Sequence, residues 1–157
     1  MTDNQRRGAL GALLDEYERA TAELLAVLQP LSAAEYVAVR DETTKDPDCR
    51  SVQAVVRHLI ASGYGYAGML REAWGLEHKV GRQLKPSRDE AEACLSAMLA
   101  YTVATLEGRW DLSPSQLQSE RVTARWGQVF DLDQLLEHAV MHVHRHRRQI
   151  ERWLAAG

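Results

Sequence analysis

Long apolar runs are missing from this chain of 157 residues. No segment approaches the roughly 18 consecutive apolar residues of a membrane-crossing helix, so no membrane partner is expected. The first residues, M-T-D-N-Q-R-R-G, lack the apolar stretch of a secretory signal, which points to the cytoplasm. Cysteine is scarce. Cys49 and Cys94 are far apart and outside any CxxC pair; this fits a reducing compartment and leaves room for one disulfide at most. A surplus of charge is absent too. A net charge of −3 gives no reason to expect nucleic acid or an anionic surface as partner. Internal repeats, low-complexity tracts and linker-like stretches do not occur, so residues 1–157 read as a single domain. That length can bury a core without disulfide or metal staples.

What is present is helical periodicity. A first helix is predicted from Gln5 to Leu28, with Leu10, Leu13, Leu14, Tyr17, Thr21, Leu24, Leu25 and Leu28 in one stripe. Asp3 or Asn4 can cap it, and Pro30 ends it. Ser32 to Glu35 has the spacing of a capping box and predicts a short turn of helix. Residues 40–50, polar and proline-containing, read as a loop. Ser51 caps a second helix with Val52, Val55, Val56, Leu59 and Ile60 on its apolar side and His58 beside them. Gly63, Gly65 and Gly68 follow; they permit close helix approach, leave space, or kink the helix. Residues 75–86 form a connection in which His78 reads as solvated. Ser87 and Glu90 suggest another capping box before a third helix carrying Ala91, Cys94, Leu95, Met98, Leu99, Thr102 and Leu106. Cys94 reads as a small core residue, and Gly108 ends the helix. Ser113-Pro114-Ser115 reads as a turn. Val122, Ala124 and Trp126 alternate with polar residues, which suggests an extended segment or a small hairpin. Asp131 with Gln134 caps a fourth helix reaching Leu154. Four long amphipathic helices with polar connections predict an all-α fold, a four-helix bundle.

The fourth helix holds His138, His142, His144 and His146. His142 and His146 are four apart and share a face, so both imidazoles can reach one ion. His58 is the one other histidine inside a strong helical pattern. A mononuclear metal site from His58, His142 and His146 is the central expectation. The competing reading is a basic solvated face, with Arg145, Arg147, Arg148 and Arg152 pairing with Glu137 and Glu151. Composition and spacing alone divide evenly between the two. His144 points away from His142 and reads as exposed. Gln149 and Arg148 lie near the ligands in sequence; a role in supporting the ligands or pairing helices is open to them, yet surface placement is the simpler expectation. A nucleic-acid patch built on the basic run 144–148 ranks low in a net acidic chain.

The stretch His142-Val143-His144-Arg145-His146-Arg147-Arg148-Gln149-Ile150 resembles the C-terminal signature of the DinB/YfiT-like superfamily, roughly H-x-x-x-H-R-x-Q-I. Ser51-Val52 followed by His58-Leu59 is similar to that family's second-helix motif. The resemblance implies three metal-binding histidines, which fall on His58, His142 and His146, with His138 as a neighbour and not a ligand. It implies a bundle in up-down-down-up order with a long crossover between helices two and three, for which residues 75–86 are the candidate. It also implies a homodimer. One departure is visible: Arg50 stands where the family often has tryptophan.

Three imidazoles leave a coordination position open, the arrangement of a catalytic site, since structural zinc sites are closed by four protein ligands. An open metal lowers the pKa of a bound water to roughly 7 or holds a thiol as thiolate. Imidazole suits zinc, nickel, iron or copper, so ligand type does not settle the metal; zinc or nickel is expected first, with iron or manganese as further choices. The resemblance implies either a metal-dependent thiol S-transferase, acting on small electrophiles with a low-molecular-weight thiol, or a metal-binding stress-response module without catalysis. A metal-dependent hydrolase is a further choice, although no glutamate follows a ligand histidine as in H-E-x-x-H. The residues assign no catalytic group beyond the metal set.

Overall fold

The computed structural model describes residues 6–78 and 85–157. Among them six α-helices dominate: α1 (Gly8–Leu28), α2 (Ala33–Val37), α3 (Val52–Ala73), α4 (Ala91–Leu106), α5 (Pro114–Ser119) and α6 (Leu132–Ala155). Strands β1 (Val122–Thr123) and β2 (Val129–Phe130) form one antiparallel hairpin, with Val122 opposite Phe130. The all-α expectation holds. No helix among the described residues is long and apolar enough to cross a membrane.

Helix boundaries follow local chemistry. The Ser51 side chain accepts from the Ala54 amide at the start of α3. Ser32 with Glu35 and Asp131 with Gln134 form reciprocal capping boxes on α2 and α6. Each satisfies amides that the first helical turn leaves without partners. Three expectations need correction. Ser113-Pro114-Ser115 opens α5, because Gln116 completes a capping box with Ser113 and Pro114 occupies the first turn. Ser87 and Glu90 do bond, at 2.8 and 2.9 Å, but they close a turn ahead of α4, whose own cap position has no side-chain bond. Helix α1 begins after Arg7, again without a side-chain cap. The proposed caps Asp3 and Asn4, with Gln5, lie outside the described residues, as do 79–84 of the connection 75–86.

The long helices share one core. Helix α1 lies mainly along α6, while α3 packs on both α4 and α6. Leu14, Tyr17 and Leu24 of α1 are buried with Val55, Val56 and Ile60 of α3, Leu95 and Met98 of α4, and Leu132, Leu135 and Ile150 of α6. Across the α1/α6 seam Arg147 pairs with Glu23, and His144 stands 3.7 Å from Glu16. His144 is therefore half-buried against α1, not exposed, because the acidic side of α1 covers it.

The loop 40–50 is clasped at its ends. Val39 bridges Ser51, and the Arg40 amide donates to the Arg50 carbonyl at 2.7 Å. A 3-10 turn, Pro47–Cys49, sits inside it, with the Asp46 side chain accepting from the Asp48 amide. Arg50 reaches back to the Thr44 carbonyl at 3.3 Å.

Helix α3 runs unbroken through its glycines, which serve different purposes. A Cβ at Gly63 would strike the Met98 side chain of α4, and one at Gly68 would strike the His78 ring. At Gly65 it would meet nothing within 4 Å. Gly63→Ala is therefore expected to destabilise by about 1–3 kcal/mol through overpacking. Gly65→Ala should stabilise by about 0.5–1 kcal/mol through helix propensity alone. Urea unfolding of the two variants checks the pair: equal shifts in the same direction would refute the distinction.

Candidate metal centre

Helix periodicity brings His142 and His146 to the same face of α6, and α3 presents His58 to them. His142 and His146 are buried, at 7% and 6% exposure, among Val143, Ala139 and Ile150. His58 Nε2 and His142 Nε2 are 3.0 Å apart, and His146 Nε2 is 3.0 Å from His142 Nε2. Ligand atoms from all three rings lie within 4.8 Å of one another. The other ring nitrogens all turn to oxygen. His142 Nδ1 is 2.9 Å from the Tyr66 hydroxyl, His146 Nδ1 is 2.8 Å from Gln149 Oε1, and His58 Nδ1 is 3.4 Å from Asp48 Oδ2. Asp48 is held in turn by Arg57.

The three sequence-predicted residues therefore meet in space. Their supporting groups were largely hidden in the sequence. Tyr66 comes from the glycine-rich end of α3 and Asp48 from the 3-10 turn of a loop that read only as polar. Gln149 is not a plain surface residue; its spacing of three from His146 was the available signal. His138 is a ring neighbour, packed at 5.4 Å from Tyr66, 5.2 Å from Phe130 and 6.1 Å from His142, measured between centroids. His78 is not simply solvated. It covers Gly68 and lies 3.1 Å from the Tyr101 hydroxyl.

Electrostatics keep the buried pair neutral. Burial, then the nearby His146 and His58 rings, pushes His142 down to about 3. Burial also lowers His146, partly offset by its bond to Gln149. Burial pushes the Tyr66 phenol up to about 12, so it stays protonated at neutral pH. Neutral imidazoles with committed Nδ1 atoms are what a metal ligand set requires.

Two of the three separations suit an ion as well. With metal–nitrogen bonds of about 2.0–2.1 Å, ligand nitrogens stand about 2.9 Å apart at a right angle and about 3.3 Å apart at the tetrahedral angle. The two contacts of 3.0 Å fall within that interval.

Two recesses reach the triad. One, of about 500 Å³, is lined by His58, His146, Gln149, Asp46 and Cys49. Burial raises the Cys49 thiol, and the Asp46 and Asp48 carboxylates add to it, so a resting thiolate is disfavoured there. The other, of about 600 Å³, runs between α3, α6 and the hairpin, and includes His58, His142, Tyr64, Tyr66, Met69 and Trp126. Both cysteines are free, so the single-disulfide alternative is not realised.

A sequence model of the DinB superfamily matches residues 16–150. The chain belongs to the DinB superfamily. The DinB match takes in all three histidines, from His58 in α3 to His146 in α6, and stops at Ile150, the last residue of the signature-like stretch. No curated protein matches the chain. Within this DinB protein the hydroxyl of Tyr66 orients His142. Tyr66→Phe is accordingly expected to weaken metal affinity about 10-fold while leaving the fold intact. Competition with a chromophoric chelator measures this; unchanged affinity would remove Tyr66 from the site.

Proposed function

We propose that this DinB-superfamily protein holds one divalent metal ion on His58, His142 and His146, and that it is a metal-dependent thiol S-transferase acting on small electrophiles. Zinc or nickel is the ion favoured by three imidazoles, with iron or manganese behind. The observation that carries the reading is the convergence of three Nε2 atoms whose Nδ1 partners are all oxygen. A purely protonic account serves it poorly. His142 Nε2 has one in-plane direction, a single N–H or a single lone pair, with which to serve two neighbours at 3.0 Å. A cation relieves both.

A bound divalent ion holds a thiol as thiolate at neutral pH. The chain's own residues do the rest. Tyr66, Gln149 and Asp48 fix the ring orientations. The cavity of about 600 Å³ is not filled by Tyr64, Tyr66 or Met69, which supports an enzyme over a closed metal-binding module. A hydrolase is less favoured, because Asp48, the carboxylate beside His58, is already committed to Arg57.

The bundle order belongs to the same proposal. In an up-down-down-up arrangement of one domain, α3 and α4 run parallel and α1 and α4 antiparallel. Gln53 meets Pro86, Gly63 meets Met98 and Arg71 meets Thr105, so numbers rise together along α3 and α4. Leu31 meets Arg88 and Tyr17 meets Met98, so they oppose along α1 and α4. Both patterns support the long crossover.

Two measurements test the function. Elemental mass spectrometry of tag-free protein should find one equivalent of metal. Loaded protein should then consume a low-molecular-weight thiol in the presence of an electrophile. Metal without thiol consumption, across several thiols, would leave the binding module as the better reading.

A further inference from the structure

The larger cavity carries charge that the metal site does not use. Arg145 of α6 stands between the two buried histidines in sequence, and Arg125 comes from the hairpin; both line this cavity. Neither makes an ion pair among the described residues, whereas Arg147 takes Glu23 and Glu151, and Arg57 takes Asp48. Glu72 is the one carboxylate in the described lining. It follows His58 by fourteen residues on the same helix, about 21 Å along the axis, too far to neutralise the end beside the triad.

Beside Arg125 stands Trp126, which is 56% exposed. Its ring packs on His138 and Phe130, with centroids 6.0 and 6.1 Å away, and still borders the cavity. The hairpin tip holds both residues in place. The Gly127 amide donates to the Ala124 carbonyl at 2.8 Å, and the Ala124 amide to the Gln128 carbonyl at 2.8 Å. Gly127 has φ +91°, which a side chain rarely tolerates, so the tip requires glycine. Tyr66 and Met69 add apolar surface from α3.

We infer that this cavity binds a small organic acid with a planar apolar body, its carboxylate taken by Arg145 and Arg125 and its body by Trp126, Tyr66 and Met69. Guanidinium forks match carboxylates in geometry as well as charge. A volume of about 600 Å³ suits such a ligand. The inference rests on the metal reading only in naming which molecules reach the proposed thiol chemistry; the two arginines and the tryptophan are present with or without an ion.

Isothermal titration of the full chain with 1-naphthoate, and with the equally shaped neutral 1-naphthamide, tests it. The metal-loaded parent should bind the acid at least about 10-fold more tightly than the amide. That preference should collapse in the double variant Arg125→Gln/Arg145→Gln. Trp126→Ala should weaken both probes alike. Both arginines are exposed, so the variants are expected to fold; circular dichroism verifies it. Equal affinity for the two probes, no binding of either, or an unchanged preference in the double variant would overturn the inference. Metal content is read on every sample. One equivalent of metal with no acid preference defeats this inference and leaves the metal site standing. No metal with an arginine-dependent preference does the reverse.

Discussion

The His142→Ala variant is expected to retain under about a tenth of the metal held by the parent, with affinity reduced by more than about 100-fold. Substitutions that merely orient a ligand cost about 10–100-fold, and His142 is placed to be a ligand itself. Its Nε2 is the atom that both His58 and His146 approach to 3.0 Å. Removing it leaves only two rings of the triad, from different helices, with centroids 5.1 Å apart. His146→Ala should behave similarly, since it also dismantles the pair on α6. The informative control is His144→Ala. That ring lies on the opposite flank of α6, beside Glu16 and Glu23 of α1, and should leave metal content untouched. Elemental analysis of the three tag-free proteins decides the matter. Equal metal in parent and His142→Ala, or equal loss in His144→Ala, would mean adventitious binding to a histidine-rich helix.

Much of this site was legible because its two closest members share one helix. Four-residue spacing alone puts His142 and His146 on one face, and the apolar company of His58 marked α3 as the partner. The groups that tune the site were not legible for a physical reason. Tyr66 lies 76 residues from His142, and the Asp48 side chain reaches His58 only because a clasped loop folds a 3-10 turn against α3. Periodicity reports which face of an element is buried and says nothing of which residue on another element it meets. His78 and His144 were misread for the same cause. Each sits among charges in sequence, yet a neighbouring helix covers it. Ser113 is a different case. The capping-box spacing to Gln116 was visible, as it was at Ser32 and Asp131, but Pro114 suggested a turn. Proline is well suited to the first helical turn, so the same residue argues for a helix start. The glycines of α3 could be noticed but not sorted, because only the position of Met98 separates Gly63 from Gly65.

Saturating metal at pH 7.5 should raise the melting temperature of the parent by about 8–16 °C, and that gain should shrink as the pH falls. An ion at about 1,000 times its dissociation constant stabilises the folded state by about 4 kcal/mol, and a chain of this size converts each kcal/mol into about 2–4 °C. Two protonation effects then work in the same direction. In the metal-free protein His142 titrates near 3 when folded, against about 6.5 when unfolded. Between those values the unfolded chain holds a proton that the folded chain lacks. Stability therefore rises with pH across that window and is lost as pH falls through it. His146, also lowered by burial, adds in the same sense. Metal binding requires neutral rings, so protons also compete with the ion. The His142→Ala variant removes the central ligand and the most strongly depressed imidazole together. Its melting temperature should be nearly indifferent to metal and should vary less between pH 4 and 7 than the parent's. Thermal scans of both proteins, with ion and with chelator, separate the contributions: metal-independent melting of the parent at pH 7.5 would refute the bound ion, and a flat pH profile of the chelated parent would refute the buried neutral pair His142 and His146.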